Sequence, residues 1–261
     1  MGEITNYKTT RLMIGNFPLE EIRILLQNWL PGERNADFTK RLIASGSLDK
    51  KTASAVVGKV RMFKGWFEYP DDRAARRLQN LVVRGIDSQI LRELVFLYKT
   101  RTERVLRDFT VDVYWPAVQR GEIYLSSQTV YDFIHQKQSS GHLNSDLTKS
   151  VVIHLQRAIT GSLVNAGLLE QRKNVWELLT YRFSDNLVAY LAYDLHFDDQ
   201  SDNSLVDNAD WMLFGMDREL VIDRLSQLDK RYGLVIQHAG SLVRITWLYS
   251  SMDEVLDAYT R

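Results

Sequence analysis

Hydrophobic residues recur at intervals of three and four through the first two-thirds of the chain, and this period predicts amphipathic α-helices. The first helix begins beside Pro18, has acidic residues in its first turn, and is ended by a Pro-Gly pair. Gly46 closes a second helix, and Ser47 or Asp49 is the predicted N-cap of a third. Helices are predicted over residues 17–30, 36–46, 47–70, 71–85 and 88–119, the last interrupted near Thr100.

The pattern changes after residue 122. Ser126 to Thr129 form an N-cap cluster, which predicts a helix over residues 130–137. After a short break, a longer helix is predicted over residues 147–165, ending at Asn165-Ala166-Gly167. Two β-prone segments around the polar turn Arg172-Lys173-Asn174 then predict a hairpin.

The C-terminal third mixes both periods. Helices are predicted over residues 185–196 and 217–231, a second hairpin over 234–249, and a short terminal helix from Ser251. The acidic segment 198–210 lacks the central Gly and terminal Glu of an EF-hand, so it is predicted to be a solvated loop. The predicted fold is mainly α, a helical globular protein with helix-turn-helix or winged-helix elements and one or two small β-hairpins.

The helix over residues 147–165 has two distinct faces. At about 100° per residue, one face is apolar and the opposite face is small and polar. The apolar face carries Val152, Leu155, Ile159 and Leu163. The opposite face carries Ser150, His154, Arg157 and Gly161.

A helix, a break, a longer helix and a hairpin occur in the order of a winged helix-turn-helix, whose longer helix enters the major groove of DNA. Groove-facing donors are then predicted at Ser150, His154 and Arg157. Lys149, also predicted to contact DNA, lies to one side of these donors. Phosphate contacts are predicted at Lys137, Arg172, Lys173 and Arg182. The alternative is a buried helix in an all-helical core, with Gly161 serving close packing and His154 in the interior.

Residues 34–67 form a second candidate helix-turn-helix, in which a short helix closed by Gly46 leads into a basic helix. A solvated surface helix is the alternative explanation of such a run of charge. The cations predicted to contact DNA here are Lys50, Lys51, Lys59, Arg61 and Lys64.

Charge is distributed unevenly although the net charge is zero. Residues 183–261 carry 6 Lys/Arg against 14 Asp/Glu, so residues 1–182 have a net charge of +8. Such a chain can present a basic face to a polyanion, although an ion-pair interface between its two parts would give the same split. The predicted domains are 1–122, helical; 123–182, winged-helix-like; and 183–261, an acidic α+β portion.

Several classes of protein are excluded by absent residues and motifs. The chain has no cysteine, which excludes disulfides and thiolate chemistry. It has no P-loop, no dinucleotide-binding glycine motif, no nucleophile elbow and no zincin motif. We therefore expect no catalytic activity, no cofactor and no metal. The absence of a signal peptide or a long apolar segment predicts a cytoplasmic protein with no membrane partner.

Three segments resemble the BrxA family, the small core components of BREX (bacteriophage exclusion) defence systems. They are LRELVFLYKTRTERVLRDFTVDVYWPAV, VYDFIHQK and LTKSVVIHLQRAITGSLVNAGLLE, and the resemblance spans roughly residues 5–182. It implies a mostly helical protein with helix-turn-helix elements, double-stranded DNA as ligand, and other BREX components as neighbours. It implies no catalytic residues.

We therefore predict a non-enzymatic accessory protein of a phage-defence system that binds double-stranded DNA. A protein-interaction scaffold within the defence complex is one alternative. A sequence-specific transcriptional regulator, which demands base readout and usually a dimer, is another.

Overall fold

The computed structural model describes residues 7, 18–48, 52–173, 175–228 and 232–259. The protein is mainly helical with two small antiparallel sheets, as predicted. The N-terminal helices are α1 (Leu19–Asn28), α2 (Asn35–Ser45), α3 (Ala53–Phe67), α4 (Arg73–Val83), α5 (Ser88–Thr102), α6 (Arg104–Phe109) and α7 (Trp115–Gln119). A π-helical turn, Thr110–Tyr114, joins α6 to α7.

The second half begins with a short strand. Its elements are β1 (Tyr124–Ser126), α8 (Ser127–Ser139), α9 (Lys149–Asn165), β2 (Leu169–Arg172), β3 (Val175–Leu178), α10 (Asp185–His196), α11 (Asp202–Val206), a 3-10 turn (Trp211–Phe214), α12 (Arg218–Ser226), β4 (Leu234–Ala239), β5 (Leu242–Trp247) and α13 (Met252–Tyr259).

Local signals fix most helix ends. Gly46 ends α2 in the left-handed conformation that glycine adopts without steric cost. α3 begins later than predicted, because the side chain of Thr52 accepts a hydrogen bond from the Ala55 amide and acts as the N-cap. Ser47 is therefore not the cap, and Asp49 lies outside the described residues.

The described residues of the chain fall into two compact units. The first unit comprises the described residues of 1–79 and 98–181, and the second comprises those of 80–97 and 182–261. The predicted portion 183–261 thus lies in the second unit, while residues of the predicted segments 1–122 and 123–182 share the first. Within the part of the chain that the structure describes, no helix has both the length and the apolar character that crossing a membrane requires.

Aromatic side chains form much of the core of the first unit. Phe63 on α3 packs edge-on against Phe38 of α2, with ring centroids 6.0 Å apart. Phe109 on α6 packs perpendicular to Phe133 of α8 at 5.1 Å. The first contact joins two consecutive helices, and the second holds α8 against α6.

The second unit surrounds α10, whose residues 187–195 are all buried. The acidic segment beside it is not the solvated loop that the sequence predicted. Part of it folds into α11, where Asp202 and Asn203 accept hydrogen bonds from the Ile245 and Val243 amides of β5. Among the described residues, no group of three or more His, Asp or Glu side chains could hold a metal ion.

Candidate nucleic-acid interface

One continuous motif in the first unit consists of strand β1, helices α8 and α9, and strands β2 and β3. The three strands make an antiparallel sheet in the order β1-β3-β2. Leu125 of β1 lies opposite Trp176 of β3, and Gln171 of β2 lies opposite the same residue on the other side. The predicted hairpin is therefore confirmed, and it gains a third strand that the sequence did not reveal.

Hydroxyl caps begin both helices of this motif. The side chain of Ser126 accepts a hydrogen bond from the Thr129 amide at the start of α8. The side chain of Thr148 does the same for Val151 at the start of α9. Each cap satisfies a backbone donor that the helix itself leaves unpaired, so the starting residues of both helices are set locally.

The two predicted faces of α9 are confirmed by their burial. Leu155, Ile159 and Leu163 are completely buried, and Val152 is 4% exposed. On the opposite face, Ser150, His154 and Arg157 are exposed, and Gly161 is partly exposed. The alternative of a helix buried on all sides is therefore wrong. Lys149 and Ile153 extend the exposed face at its N-terminal end.

Polar contacts hold α9 against its neighbours in addition to apolar packing. The Gln156 side chain donates to the Ser127 carbonyl oxygen at the start of α8, at 3.0 Å. Lys99 of α5 donates to the Ser162 hydroxyl at 2.8 Å. These bonds restrict how far α9 can slide or rotate against its neighbours.

Lys99 is buried in this core. Its ammonium lies 4.3 Å from the centroid of the Trp66 ring, and Trp66 donates to a carboxylate oxygen of Glu103 at 3.0 Å. Desolvation by burial lowers the pKa of Lys99 to about 7, although the charge of Glu103 opposes the shift. The face of α9 opposite its exposed surface therefore rests on a buried ionisable cluster.

The two predicted cations of the hairpin have different surroundings. Lys173 is exposed in the turn, with a positive φ of 40°. Arg172 lies within β2, and its guanidinium bonds Glu177 through Nε at 2.8 Å and Glu170 through Nη2 at 2.7 Å. Two carboxylates thus compensate Arg172, and it is a weaker candidate for a phosphate contact than Lys173.

Lys137 is turned away from the exposed surface of α8. Its ammonium pairs with Asp108 at 2.6 Å and with Asp112 at 3.1 Å, and only 14% of the side chain is exposed. Asp108 also accepts a hydrogen bond from Tyr7. Lys137 therefore anchors α8 to α6 and to the π-helical turn, and its charge is compensated there by two carboxylates.

The second candidate segment, residues 34–67, is also a pair of helices, α2 and α3. Lys59 pairs with Glu21 of α1 at 2.8 Å, and Lys64 pairs with Glu68 at 3.0 Å. Both lysine side chains are less than one-fifth exposed, so their charges are compensated within the unit. Arg61 is exposed, whereas Lys50 and Lys51 lie outside the described residues.

Two features of this interface leave no clear signal in the sequence. Strand β1 has three residues, too few to show a period of two. Tyr114, which is completely buried, donates to the Leu168 carbonyl oxygen at 3.1 Å and fixes the start of the hairpin. The only sequence signal for Tyr114 is its place in an aromatic cluster, which does not reveal a partner 54 residues away.

Comparisons with known proteins identify a family and a shared fold. The chain matches the BrxA family model over residues 6–194. It is similar to a crystal structure of an uncharacterized protein from Magnetospirillum magneticum, with a TM-score of 0.60 and 18% identity. That likeness covers 74% of this chain and 95% of the other, and it shows a shared fold. No curated protein matches the chain.

Proposed function

Because this chain belongs to the BrxA family, a component of BREX phage-defence systems, we propose that it is a non-enzymatic accessory protein that binds double-stranded DNA. The observation that carries the proposal is the exposed polar face of α9. We interpret β1, α8, α9, β2 and β3 as a winged helix-turn-helix, with α9 as the recognition helix and β2–β3 as the wing.

The exposed face of α9 has the chemistry that a major groove accepts. Arg157, His154 and Ser150 offer hydrogen-bond donors toward base edges. Ile153, which is 37% exposed, can contact a thymine methyl group. Gly161 has no side chain to hold the helix away from the duplex.

Phosphate contacts supply most of the expected affinity. Lys149 lies at the N-terminal end of the exposed face of α9, and Lys173 lies in the wing turn. With Arg157, whose charge also neutralises phosphate charge, they give three cations, for which the logarithm of affinity should fall with the logarithm of salt concentration with a slope of about −2.7. Affinity should therefore fall ~40-fold between about 50 and 200 mM salt.

Fluorescence anisotropy with a blunt-ended hairpin duplex tests the proposal. We expect the double variant Lys149→Gln, Arg157→Gln to weaken binding and to reduce the steepness of the salt dependence by about 2. The matched control is Arg76→Gln on α4, where an exposed arginine pairs with Asp72 one helical turn away. The thermal unfolding temperature should be unchanged in the double variant and in the control, because these side chains are exposed.

Two outcomes contradict the proposal. Undetectable binding at low salt would reject DNA as the ligand and favour the scaffold, in which the same surface contacts another BREX component. Equal losses in the α9 variant and the Arg76 control would show that α9 is not the contact surface. Selection of a defined sequence motif from random DNA would instead favour a transcriptional regulator.

A further inference from the structure

The solvent face of the three-stranded sheet is a second surface in the same motif. Cross-strand partners and alternate residues of a sheet share a face, so Tyr124, Glu177, Val175, Glu170 and Arg172 lie together. The opposite face includes Leu125 and Leu169, each 1% exposed, and it is buried there, whereas Gln171 beside the turn is exposed. All three strands therefore contribute to the solvent face.

A shallow concavity of about 560 Å³ lies on this part of the sheet. Its lining is Tyr124, Arg172 and Val175 of the solvent face, Lys173 of the turn, and Gln171, which strand alternation places on the opposite face beside the turn. Tyr124 is 53% exposed, so a large part of its ring is accessible to a ligand. The volume falls within the range that accommodates a small planar group together with its surroundings.

Arg172 is held in one orientation. Its Nη1 lies 2.7 Å from Glu170, its Nη2 is hydrogen-bonded to the same carboxylate, and its Nε bonds Glu177. These bonds use the edges of the guanidinium, which leaves its planar faces for stacking. An arginine fixed in this way loses little conformational freedom when a flat ligand stacks on it.

The local charge disfavours a phosphate at the centre of this surface. Arg172 and Lys173 are balanced by Glu170 and Glu177, whose carboxylates repel an anion. An aromatic ring, a guanidinium plane and the apolar side chain of Val175 instead match the flat, uncharged face of a nucleobase. Lys173, at the turn, can still contact the phosphate attached to such a base.

We propose that Tyr124, Arg172 and Val175, here called the stacking face, receive an unpaired base of bound DNA at a junction between a duplex and a single strand. The inference rests on the proposed DNA-binding function and specifies the kind of DNA that is bound. Paired bases are stacked within the duplex and held by their partners, so an unpaired base can leave the stack and offer its ring to the protein. The protein then prefers DNA with an unpaired tail to a closed duplex.

Anisotropy measurements on two hairpins, each closed by a non-nucleotide linker so that the loop has no unpaired base, test the inference: one is blunt-ended, and the other is identical but has a short unpaired thymine tail. We expect the tail to increase affinity ~5- to 150-fold, the range of one stacked base. Tyr124→Ala should abolish this gain without weakening binding of the blunt hairpin. Tyr124→Phe should keep it, because stacking needs the ring and not the hydroxyl.

Two further variants separate stacking from charge and from general surface effects. Arg172→Lys keeps the charge but removes the guanidinium plane, and it should reduce the gain from the tail. Tyr131→Ala is the matched control, since Tyr131 is another exposed tyrosine, 42% exposed, on α8. It should leave the gain intact.

The possible failures are distinguishable. Equal affinity of wild-type protein for the two hairpins, or a gain that survives Tyr124→Ala, overturns the stacking face and leaves duplex binding intact. Failure to bind the blunt hairpin at low salt overturns the proposed function. If a thymine oligonucleotide alone then still binds through Tyr124, the stacking face is supported although the proposed duplex-binding function is rejected.

Discussion

Lys99→Met should remove a pH dependence of stability that burial of this lysine creates. The Lys99 ammonium lies over the Trp66 ring and donates to Ser162, away from water. Desolvation lowers its pKa to about 7 in the folded protein, whereas a lysine in an unfolded chain has a pKa of about 10.4. The two states therefore bind different numbers of protons between these pH values.

The sign follows from proton linkage. Between about pH 7 and pH 10 the unfolded state binds more protons at this position, so the free energy of unfolding rises with pH. Below about pH 7 both states are protonated and the full cost of burying the charge is present. From pH 7 to pH 9 the free energy of unfolding should rise by about 2 kcal/mol through Lys99 alone, since one pKa unit corresponds to about 1.4 kcal/mol.

Urea denaturation across this pH range measures the effect. The useful quantity is the difference in pH dependence between wild type and Lys99→Met, because other titrating groups contribute equally to both. Lys149→Met is the control, since Lys149 is exposed, and it should retain the wild-type dependence. Lys99→Gln serves the same purpose if the methionine variant does not fold. Parallel curves for wild type and the Lys99 variants would refute the reasoning.

Two further predictions concern stability. Leu155→Ala removes a completely buried side chain from α9 and should lower the free energy of unfolding by about 2–5 kcal/mol. His154→Ala on the exposed face should change the free energy of unfolding by less than about 0.5 kcal/mol. Comparable losses for the two variants in urea denaturation would contradict the assignment of faces. Gly233→Ala should destabilise the protein more than Gly240→Ala in thermal unfolding. Both glycines have positive φ, but only a Cβ at Gly233 would lie 2.5 Å from the Tyr249 ring, so equal losses would show that the ring moves aside without cost.

The sequence by itself determined the elements that depend on nearby residues. The opposed faces of α9 follow from helical periodicity, and its buried and exposed residues agree with the prediction. The β2–β3 and β4–β5 hairpins follow from β-prone segments on either side of polar turns. Periodicity and capping act over a few positions, so a single sequence contains the information they need.

The tertiary structure alone decided which charged side chains are available to a ligand. Lys137 and Lys59 looked like surface cations, but each pairs with a carboxylate on another helix, Asp108 and Glu21 respectively. The third strand of the sheet and the burial of Lys99 also depend on residues far along the chain. Such pairings are set when distant elements pack together, because an ion pair or a strand partner is chosen by proximity in space and leaves no periodic trace in sequence.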